Sequence, residues 1–209
     1  MFVRHVMTRQ VYALSRQVSC RDAYQEFRTR RIRRAPVVEH GQMVGIVTLH
    51  DLLHVLPGTV SQEETQPGAF AWELPVDTIM HYPVRTLHPN DHLETAARLM
   101  LENKIGALPV VRDDEIVGIL TESDIFRALW GVLSSGKGWR VILEEPPASP
   151  ELDYATALGP QGGKLESLIR FPMPEGGSVV YLRSIGGQPD TVVQALRACG
   201  VTVLQIDRN

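Results

Sequence analysis

The chain has 209 residues and a formal net charge of −3; 44% of its residues are hydrophobic, 22% charged and 6% aromatic. This composition fits one or two soluble globular domains, and the small net charge argues against a general nucleic-acid binder. No apolar run approaches the roughly 18 residues of a membrane-spanning helix, the start MFVRHVMTRQ lacks the apolar core of a secretory signal, and two cysteines are too few for a disulfide framework, so we expect a cytoplasmic protein.

An internal repeat organises the first two thirds of the chain. The segment GIVTLHDLL from Gly45 returns as GILTESDIF from Gly118, and 118 − 45 is 73. The tripeptide PVV from Pro36 returns from Pro109, and 109 − 36 is also 73. A constant offset at separated anchors predicts two structurally equivalent copies, with no insertion between their matched positions.

Each copy is predicted to begin with a short extended segment followed by a helix. The extended segments are 11–14 in the first copy and 84–87 in the second. The inward positions of the two helices include Ala23 and Phe27, or Ala96 and Met100. The predicted helix caps are Ser19 with Asp22 and Asp91 with Glu94.

Two short strands and a second helix are predicted to complete each copy. Val- and Ile-rich runs at 35–38 and 43–48 flank a turn in the first copy, as do the runs at 108–111 and 116–121 in the second. The second helices begin at Thr48 and Thr121. Residues 57–75 are rich in Gly, Pro and polar side chains, so they are predicted to link a first domain at 1–56 to a second at 76–131.

The last seventy residues are predicted to form a separate domain. Residues 132–138 form a second linker, and residues 139–209 follow the order β-α-β-β-α-β, which suits an antiparallel sheet with helices on one face. The predicted elements are a strand at 140–143, a helix opened by Ser149-Pro150-Glu151 that runs through about Leu158, a hairpin of 164–171 with 178–183, a helix from Pro189 to about Ala198, and a strand at 201–206.

The duplicated signatures resemble a tandem pair of cystathionine-β-synthase (CBS) domains, a Bateman module, over roughly residues 3–130. The resemblance is carried by Met7-Thr8 and Met80-His81, by RRAPVV and GALPVV, and by GIVTLHD and GILTESD. It implies an α/β (α+β) fold in which the two copies are related by a pseudo-twofold axis. It also implies that an adenine nucleotide (AMP, ADP or ATP) or S-adenosylmethionine binds in the clefts between the copies and regulates an attached or partner protein.

The C-terminal order, with PDTVVQALRACGVTVLQID at its end, is similar to a ferredoxin-like ACT domain, a regulatory fold that binds amino acids and pairs its sheets between subunits. That family usually has a glycine between its first strand and helix, whereas this chain has Glu144-Glu-Pro-Pro-Ala148. Dimerisation or relay is therefore favoured over amino-acid binding. The combined architecture resembles the acetoin-utilisation family, which implies a regulatory protein.

The repeated T-x-x-D motif is the centre of the candidate binding site. Thr48 and Thr121 lie where a strand enters a helix, so free backbone N–H groups and a hydroxyl could hold a phosphate. Asp51 and Asp124 could accept hydrogen bonds from both hydroxyls of a ribose, although the same motif is also a helix capping box. The predicted nucleotide-binding residues, of which Val11 and Val84 follow from the resemblance, are Val11, Arg33, Arg34, Ala35, Pro36, Thr48, His50, Asp51, Val84, Gly106, Ala107, Leu108, Pro109, Thr121, Ser123 and Asp124.

The two copies differ in charge beside the predicted base-binding segments. Residues 28–34 (RTRRIRR) carry five arginines, whereas the matching residues 101–107 (LENKIGA) carry one lysine and one glutamate. One hypothesis is that Arg33 and Arg34 favour a polyphosphate in the first cleft. The second cleft, lined by Gly106-Ala107-Leu108, would then take a less charged ligand or stay empty. The alternative is a solvated arginine run that faces an acidic partner.

No catalytic or metal-binding motif is predicted. His50 with His54 and His88 with His92 have i, i+4 spacing, but neither pair has a nearby glutamate in the zincin pattern or a third ligand. Walker, G-x-S-x-G and C-x-x-C motifs are absent from the sequence. We therefore expect a homodimeric, non-enzymatic regulatory protein with a possible regulated protein partner, and neither nucleic acid nor membrane as partner. A structural adaptor with empty clefts is the alternative.

Overall fold

The computed structural model describes residues 1–55, 72–134, 138–147 and 152–208. The chain forms two compact units, Met1–Ala128 and Leu129–Asn209, and each contains helices and sheets, as the mixed α/β prediction requires. Most of the predicted linker 57–75, and residues 149–151, lie outside the described residues. The helix predicted to run from 149–151 through about Leu158 begins only at Tyr154, where Asp153 is the cap. In the ranges that are described, no helix is both long enough and apolar enough to cross a membrane.

The first copy contains the predicted β-α-β-β-α order. Its elements are β1 (Leu14–Ser15), α1 (Cys20–Arg30), β2 (Arg34–Glu39), β3 (Gln42–Thr48) and α2 (Leu49–His54). In the sheet, β1 lies parallel to β2 and β2 antiparallel to β3. The Ser19 hydroxyl accepts a hydrogen bond from the Asp22 N–H at 3.1 Å, which confirms the predicted cap of α1. Ala23 and Phe27 are buried, as the helical spacing predicts.

The second copy repeats this arrangement with α3 (Leu93–Asn103), β4 (Ala107–Arg112), β5 (Glu115–Thr121) and α4 (Glu122–Ser134). Within the described ranges, its predicted extended start forms only one bridge, between Leu87 and Val110. These residues are the equivalents, 73 positions later, of Leu14 and Val37, which pair between β1 and β2. The prediction that Asp91 caps α3 is wrong. The residue at the cap position is His92, the equivalent of Ser19, and the Asp91 carboxylate instead accepts a hydrogen bond from the His88 N–H at 2.8 Å.

The two copies exchange their leading segments. Val3 and Met7, which precede the first copy, are buried in the core of the second copy. Val76 is buried in the core of the first copy, and Ile79 and Met80 pack against it. Each core is therefore completed by residues that precede the other copy in the chain.

Backbone pairing and two glycines fix this exchange. Thr8 and Ile119 exchange two backbone hydrogen bonds, both 2.9 Å long, and His81 and Ile46 form the equivalent pair. A Cβ added at Gly118 would lie 2.7 Å from the Met7 sulfur, well inside van der Waals contact. Glycine is needed here, and at the equivalent Gly45, because the partner methionine crosses directly over the strand.

The C-terminal unit contains β6 (Trp139–Glu145), α5 (Tyr154–Leu158), β7 (Gly163–Pro172), β8 (Ser178–Gly186), α6 (Pro189–Ala198) and β9 (Thr202–Arg208). The sheet order is β7-β8-β6-β9 and every neighbouring pair is antiparallel. This is the order of a ferredoxin-like split β-α-β fold. Helix α6 has the predicted bounds, whereas α4 continues to Ser134, so the first residues of the predicted linker 132–138 are helical.

Candidate functional site

Two cavities lined by described residues lie between the copies within the Met1–Ala128 unit. The first has a volume of about 740 Å³ and the second about 660 Å³, both in the range of small-molecule sites. Their linings are related by the repeat offset of 73 residues. The matched pairs, first cavity before second, include Thr48 and Thr121, Leu49 and Glu122, His50 and Ser123, His81 and Thr8, Val84 and Val11, Arg85 and Tyr12, and Lys104 and Arg31.

Each cavity combines the strand-to-helix corner of one copy with the segment before the strand pair of the other copy. The first cavity joins Thr48 to Val84 and the run 106–108, and the second joins Thr121 to Val11 and Pro36. This pairing is the one that a pseudo-twofold axis produces, because the axis places the corner of each copy opposite the segment before the strand pair of the other copy.

The expected assignment of the charged segments is therefore wrong. We expected Arg33 and Arg34 in one cleft and the run 106–108 in the other. Both arginines line both cavities, and so does Gly106, while Ala107 and Leu108 line only the first. The two cavities consequently adjoin at these arginines.

Three predicted site residues do not line either cavity in the described part of the chain. Ala35 has no exposed surface and packs in the core of the first copy. Pro109 is buried, and its carbonyl accepts a hydrogen bond from the Leu87 N–H at 2.9 Å. Asp51 lies just behind the lining, where it contacts the lining residues Thr48 and His81.

Both T-x-x-D motifs form helix capping boxes. At the first corner, Asp51 Oδ2 accepts hydrogen bonds from the Thr48 N–H at 2.8 Å and from its hydroxyl at 2.7 Å, while the Asp51 N–H donates to the Thr48 hydroxyl. The same three bonds join Asp124 to Thr121. The capping alternative is thus realised at both corners, and one carboxylate oxygen of each aspartate is engaged within its own helix.

The second oxygen of each aspartate faces an exposed side chain. Asp51 Oδ1 lies 2.9 Å from His81 Nε2, and Asp124 Oδ1 accepts hydrogen bonds from Arg127 at 2.8 Å and from the Thr8 hydroxyl at 3.3 Å. The side chains of His81 and Arg127 are 66% and 71% exposed. The carboxylates that they contact are only 14% and 4% exposed, so each pair joins an exposed side chain to a buried or nearly buried aspartate.

The first helical N–H groups are mostly engaged as well. The Leu49 N–H donates to the Arg33 carbonyl at 2.7 Å, and the Glu122 N–H donates to the Gly106 carbonyl at 3.2 Å. Together with the capping boxes, these bonds account for most of the free donors that were expected at the corners.

The charges of the two cavities differ. Among the described residues, the first is lined by Arg33, Arg34, Arg85 and Lys104 and by no carboxylate. The second contains five arginines but also Glu122 and Asp124, and two of those arginines already form ion pairs, Arg30 with Glu26 and Arg127 with Asp124. The first cavity is therefore better suited to an anionic group.

Two groups at the site have shifted pKa values. Burial lowers the pKa of the Arg34 guanidinium; the charge of Glu122 opposes this change and that of Arg33 adds to it. Burial by itself raises the pKa of Asp51, but the hydrogen bonds from Thr48 and His81 together outweigh it, so that the pKa lies below its ordinary value.

Many lining residues were not predicted, among them Thr8, Tyr12, His81, Arg85, Lys104 and Glu122. Thr8 and His81 directly follow the two methionines that keep the repeat offset, so the repeat itself contained a signal for them. In the described ranges, no group of three or more His, Cys, Asp or Glu side chains could hold a metal ion.

The family described as CBS domain matches residues 3–58 and 76–131. The solved structure of a Vibrio cholerae protein named for acetoin utilization (AcuB) aligns with a TM-score of 0.55 and 34% identity, over 64% of this chain and 93% of that chain. Among curated relatives, MJ1225 from Methanocaldococcus jannaschii is 37% identical over 98 residues, which are 46% of this chain and 35% of that protein. The chain spans 40% of MJ1232 from the same organism and 47% of a 33.4 kDa protein from Thermofilum pendens, so it covers less than half the length of these three relatives.

Two further solved structures contain bound adenosine compounds. The CBS domain pair of protein MJ0100, in complex with 5′-methylthioadenosine and S-adenosyl-L-methionine, aligns with a TM-score of 0.53 and 25% identity, over 63% of this chain and 97% of that chain. CBSX2 in complex with AMP aligns with a TM-score of 0.54 and 27% identity, over the same shares of the two chains.

Proposed function

This chain belongs to the CBS-domain family, and from that premise we propose that it is a regulatory protein whose ligand is an adenine nucleotide (AMP, ADP or ATP) or S-adenosylmethionine. The ligand binds in the cavities between the two copies. Its occupancy favours one arrangement of the copies, and a ligand can shift that arrangement only by its differential affinity for the two states. Catalysis has no part in this function.

One observation carries the proposal. Two cavities of suitable volume, related by the repeat offset, each combine the threonine of a T-x-x-D corner, an apolar wall and cationic side chains. An apolar slot suits a base, a carboxylate suits a ribose, and guanidinium groups suit phosphate. The bound AMP, 5′-methylthioadenosine and S-adenosyl-L-methionine of the related CBSX2 and MJ0100 structures support the same ligand class.

In the first cavity, the side chains of Val84 and Leu108 flank the base, and Asp51 accepts the ribose hydroxyls after His81 turns away. The phosphate lies toward Arg34 and its neighbouring cations. The second cavity uses Val11, Pro36, Thr121, Ser123 and Asp124 in the corresponding roles.

The C-terminal unit serves dimerisation or the relay of occupancy to a regulated partner. Its β7-β8-β6-β9 sheet order supports an ACT-like domain, and the acetoin utilization named for the AcuB neighbour is one candidate setting. A homodimer, a cytoplasmic location and the division into domains at 1–56, 76–131 and 139–209 belong to the same proposal.

Thermal unfolding of the full chain with AMP, ADP, ATP and S-adenosylmethionine tests the ligand class. A true ligand at 100 times its Kd adds about 2.7 kcal/mol of stability. The substitution Val84→Trp, which fills the first cavity, should remove the part of this gain that arises there. The matched exposed substitution Leu101→Trp, at a residue that lines neither cavity, should leave the gain intact.

The second candidate function is a structural adaptor with empty clefts. The observation that favours it is the complete engagement of Asp124, which is only 4% exposed and contacts Thr121, Thr8 and Arg127. A melting temperature that does not change with any of the four compounds would favour the adaptor and contradict the proposed ligand class.

A further inference from the structure

Arg34 occupies the junction of the two cavities. It is the first residue of β2 in the first copy, and its guanidinium reaches across to the second copy. A Cβ added at Gly106 would lie 2.8 Å from Arg34 Nη2 and 3.0 Å from Nη1. The absence of a side chain at Gly106 therefore makes room for this guanidinium, which lines both cavities.

A carboxylate lies against the same position from the second cavity. Glu122 Oε2 would be 3.0 Å from that Cβ, so the guanidinium of Arg34 and the carboxylate of Glu122 flank Gly106 together. Glu122 lines the second cavity only, whereas Arg34 lines both. The cation is shared between the two cavities, but the anion belongs to one of them.

The repeat has no second copy of this charge pair. The residue equivalent to Arg34 is Ala107, and the residue equivalent to Glu122 is Leu49, both offset by 73 positions. A phosphate in the first cavity meets no lining carboxylate among the described residues and can draw on Arg34. A phosphate in the second cavity meets Glu122 and Asp124 beside the arginines of that cavity, two of which are already ion-paired, and it shares Arg34 with the first cavity.

Resting on the proposed function, we infer that the two cavities hold ligands of different charge: one phosphorylated adenosine compound in the first cavity, and one adenosine compound without a phosphate in the second. A phosphate in the first cavity attracts Arg34 and leaves the Glu122 carboxylate uncompensated beside the second. That carboxylate repels a second phosphate and does not penalise a neutral or cationic ligand.

Calorimetric titration of the full chain with AMP and with 5′-methylthioadenosine tests this inference. AMP should bind in two steps, the second at least about fivefold weaker, which is the lower end of typical coupling between sites. Protein loaded with one equivalent of AMP should still bind 5′-methylthioadenosine. Its Kd for that compound should be no more than about twofold weaker than the tighter Kd that AMP-free protein shows for the same compound. Two AMP steps of equal affinity, or exclusion of 5′-methylthioadenosine by the first AMP, would overturn the inference.

Charge variants identify the groups responsible. Glu122→Gln, at an exposed side chain, should tighten the second AMP step and leave 5′-methylthioadenosine binding unchanged. The control Glu115→Gln, at an exposed position outside both cavities, should change neither. Arg34→Gln should weaken the first AMP step at least about fivefold without weakening 5′-methylthioadenosine.

The results separate this inference from the proposed function. If neither compound binds, the proposed function fails. If both bind but the two AMP steps are equal, or if Glu122→Gln leaves the gap between them unchanged, only the mixed occupancy fails.

Discussion

Replacing each motif aspartate by alanine and by asparagine separates its role in capping from its role in ligand binding. Asp124→Ala removes the acceptor for the Thr121 N–H, the Thr121 hydroxyl, the Thr8 hydroxyl and Arg127. A buried donor left without an acceptor costs about 1–3 kcal/mol, and loss of a cap costs about 0.5–2 kcal/mol. The exposed Arg127 adds little. We therefore expect the free energy of unfolding to fall by about 2–4 kcal/mol.

Urea unfolding of the full chain, followed by circular dichroism, measures this change. Asp22 provides the control, because it stands three residues after the cap of α1, as Asp124 does in α4. Asp22 is exposed, and the cap bond described for it is donated by its backbone N–H to the Ser19 hydroxyl, a bond that alanine keeps. Asp22→Ala should therefore cost much less than Asp124→Ala. Equal losses for these two variants would refute the importance of the capping box.

The asparagine variants then test ligand binding. Asp51→Asn keeps one oxygen that can accept the Thr48 N–H, so it should preserve most of the cap. Its single oxygen is then engaged by the helix, which leaves an NH2 donor where Asp51 Oδ1 would accept the ribose hydroxyls, so AMP should bind at least about tenfold more weakly, equivalent to about 1.4 kcal/mol. Unchanged AMP affinity in Asp51→Asn would show that the aspartate serves the helix alone.

Three further predictions concern the fold. The pKa of Asp51 is lowered in the folded protein. The contribution of the Asp51 carboxylate to stability is therefore complete well above the ordinary pKa of 3.8, and it is lost as the pH falls through the lowered folded value. The difference in free energy of unfolding between wild type and Asp51→Asn, measured by urea unfolding, should accordingly shrink in acid. Gly118→Ala should destabilise the protein by about 1–3 kcal/mol because its Cβ would meet the Met7 sulfur at 2.7 Å. The control Gly131→Ala, whose Cβ would have nothing within 4 Å, should stabilise α4 by about 0.5–1 kcal/mol. Similar shifts in melting temperature for the two variants would contradict the exchange of leading segments. Glu145→Gln, which weakens a buried bidentate ion pair, should cost about 2–3 kcal/mol in the C-terminal unit, and a loss below 0.5 kcal/mol by urea unfolding would count against that pair.

The repeat made most of the first unit predictable from sequence. Matching Gly45 with Gly118, and Thr48 with Thr121, placed the strand pairs, the second helices and both corners. The offset identifies which residues are equivalent, but it contains no information about which copy a residue faces. For that reason the exchange of leading segments, and the sharing of Arg34 by both cavities, emerged only from the three-dimensional structure.

Two local errors have simple physical causes. Asp91 is a good capping residue, but it stands one position before the true cap, where its carboxylate closes a turn with His88. The predicted linker 132–138 directly follows Gly131, and glycine costs about 1 kcal/mol within a helix. Helix α4 nevertheless continues to Ser134, and the Leu133 carbonyl accepts a hydrogen bond from Arg183 at 3.0 Å, so tertiary contacts outweigh the local preference.

A crystal structure of the full chain with AMP is the most direct measurement of how the two copies build their binding sites. We expect the adenosine of AMP in the first cavity, with its ribose at Asp51, its base against Val84 and Leu108, and its phosphate near Arg34. AMP held by a corner and a base-binding segment of the same copy, or AMP bound elsewhere with both cavities empty, would contradict this arrangement.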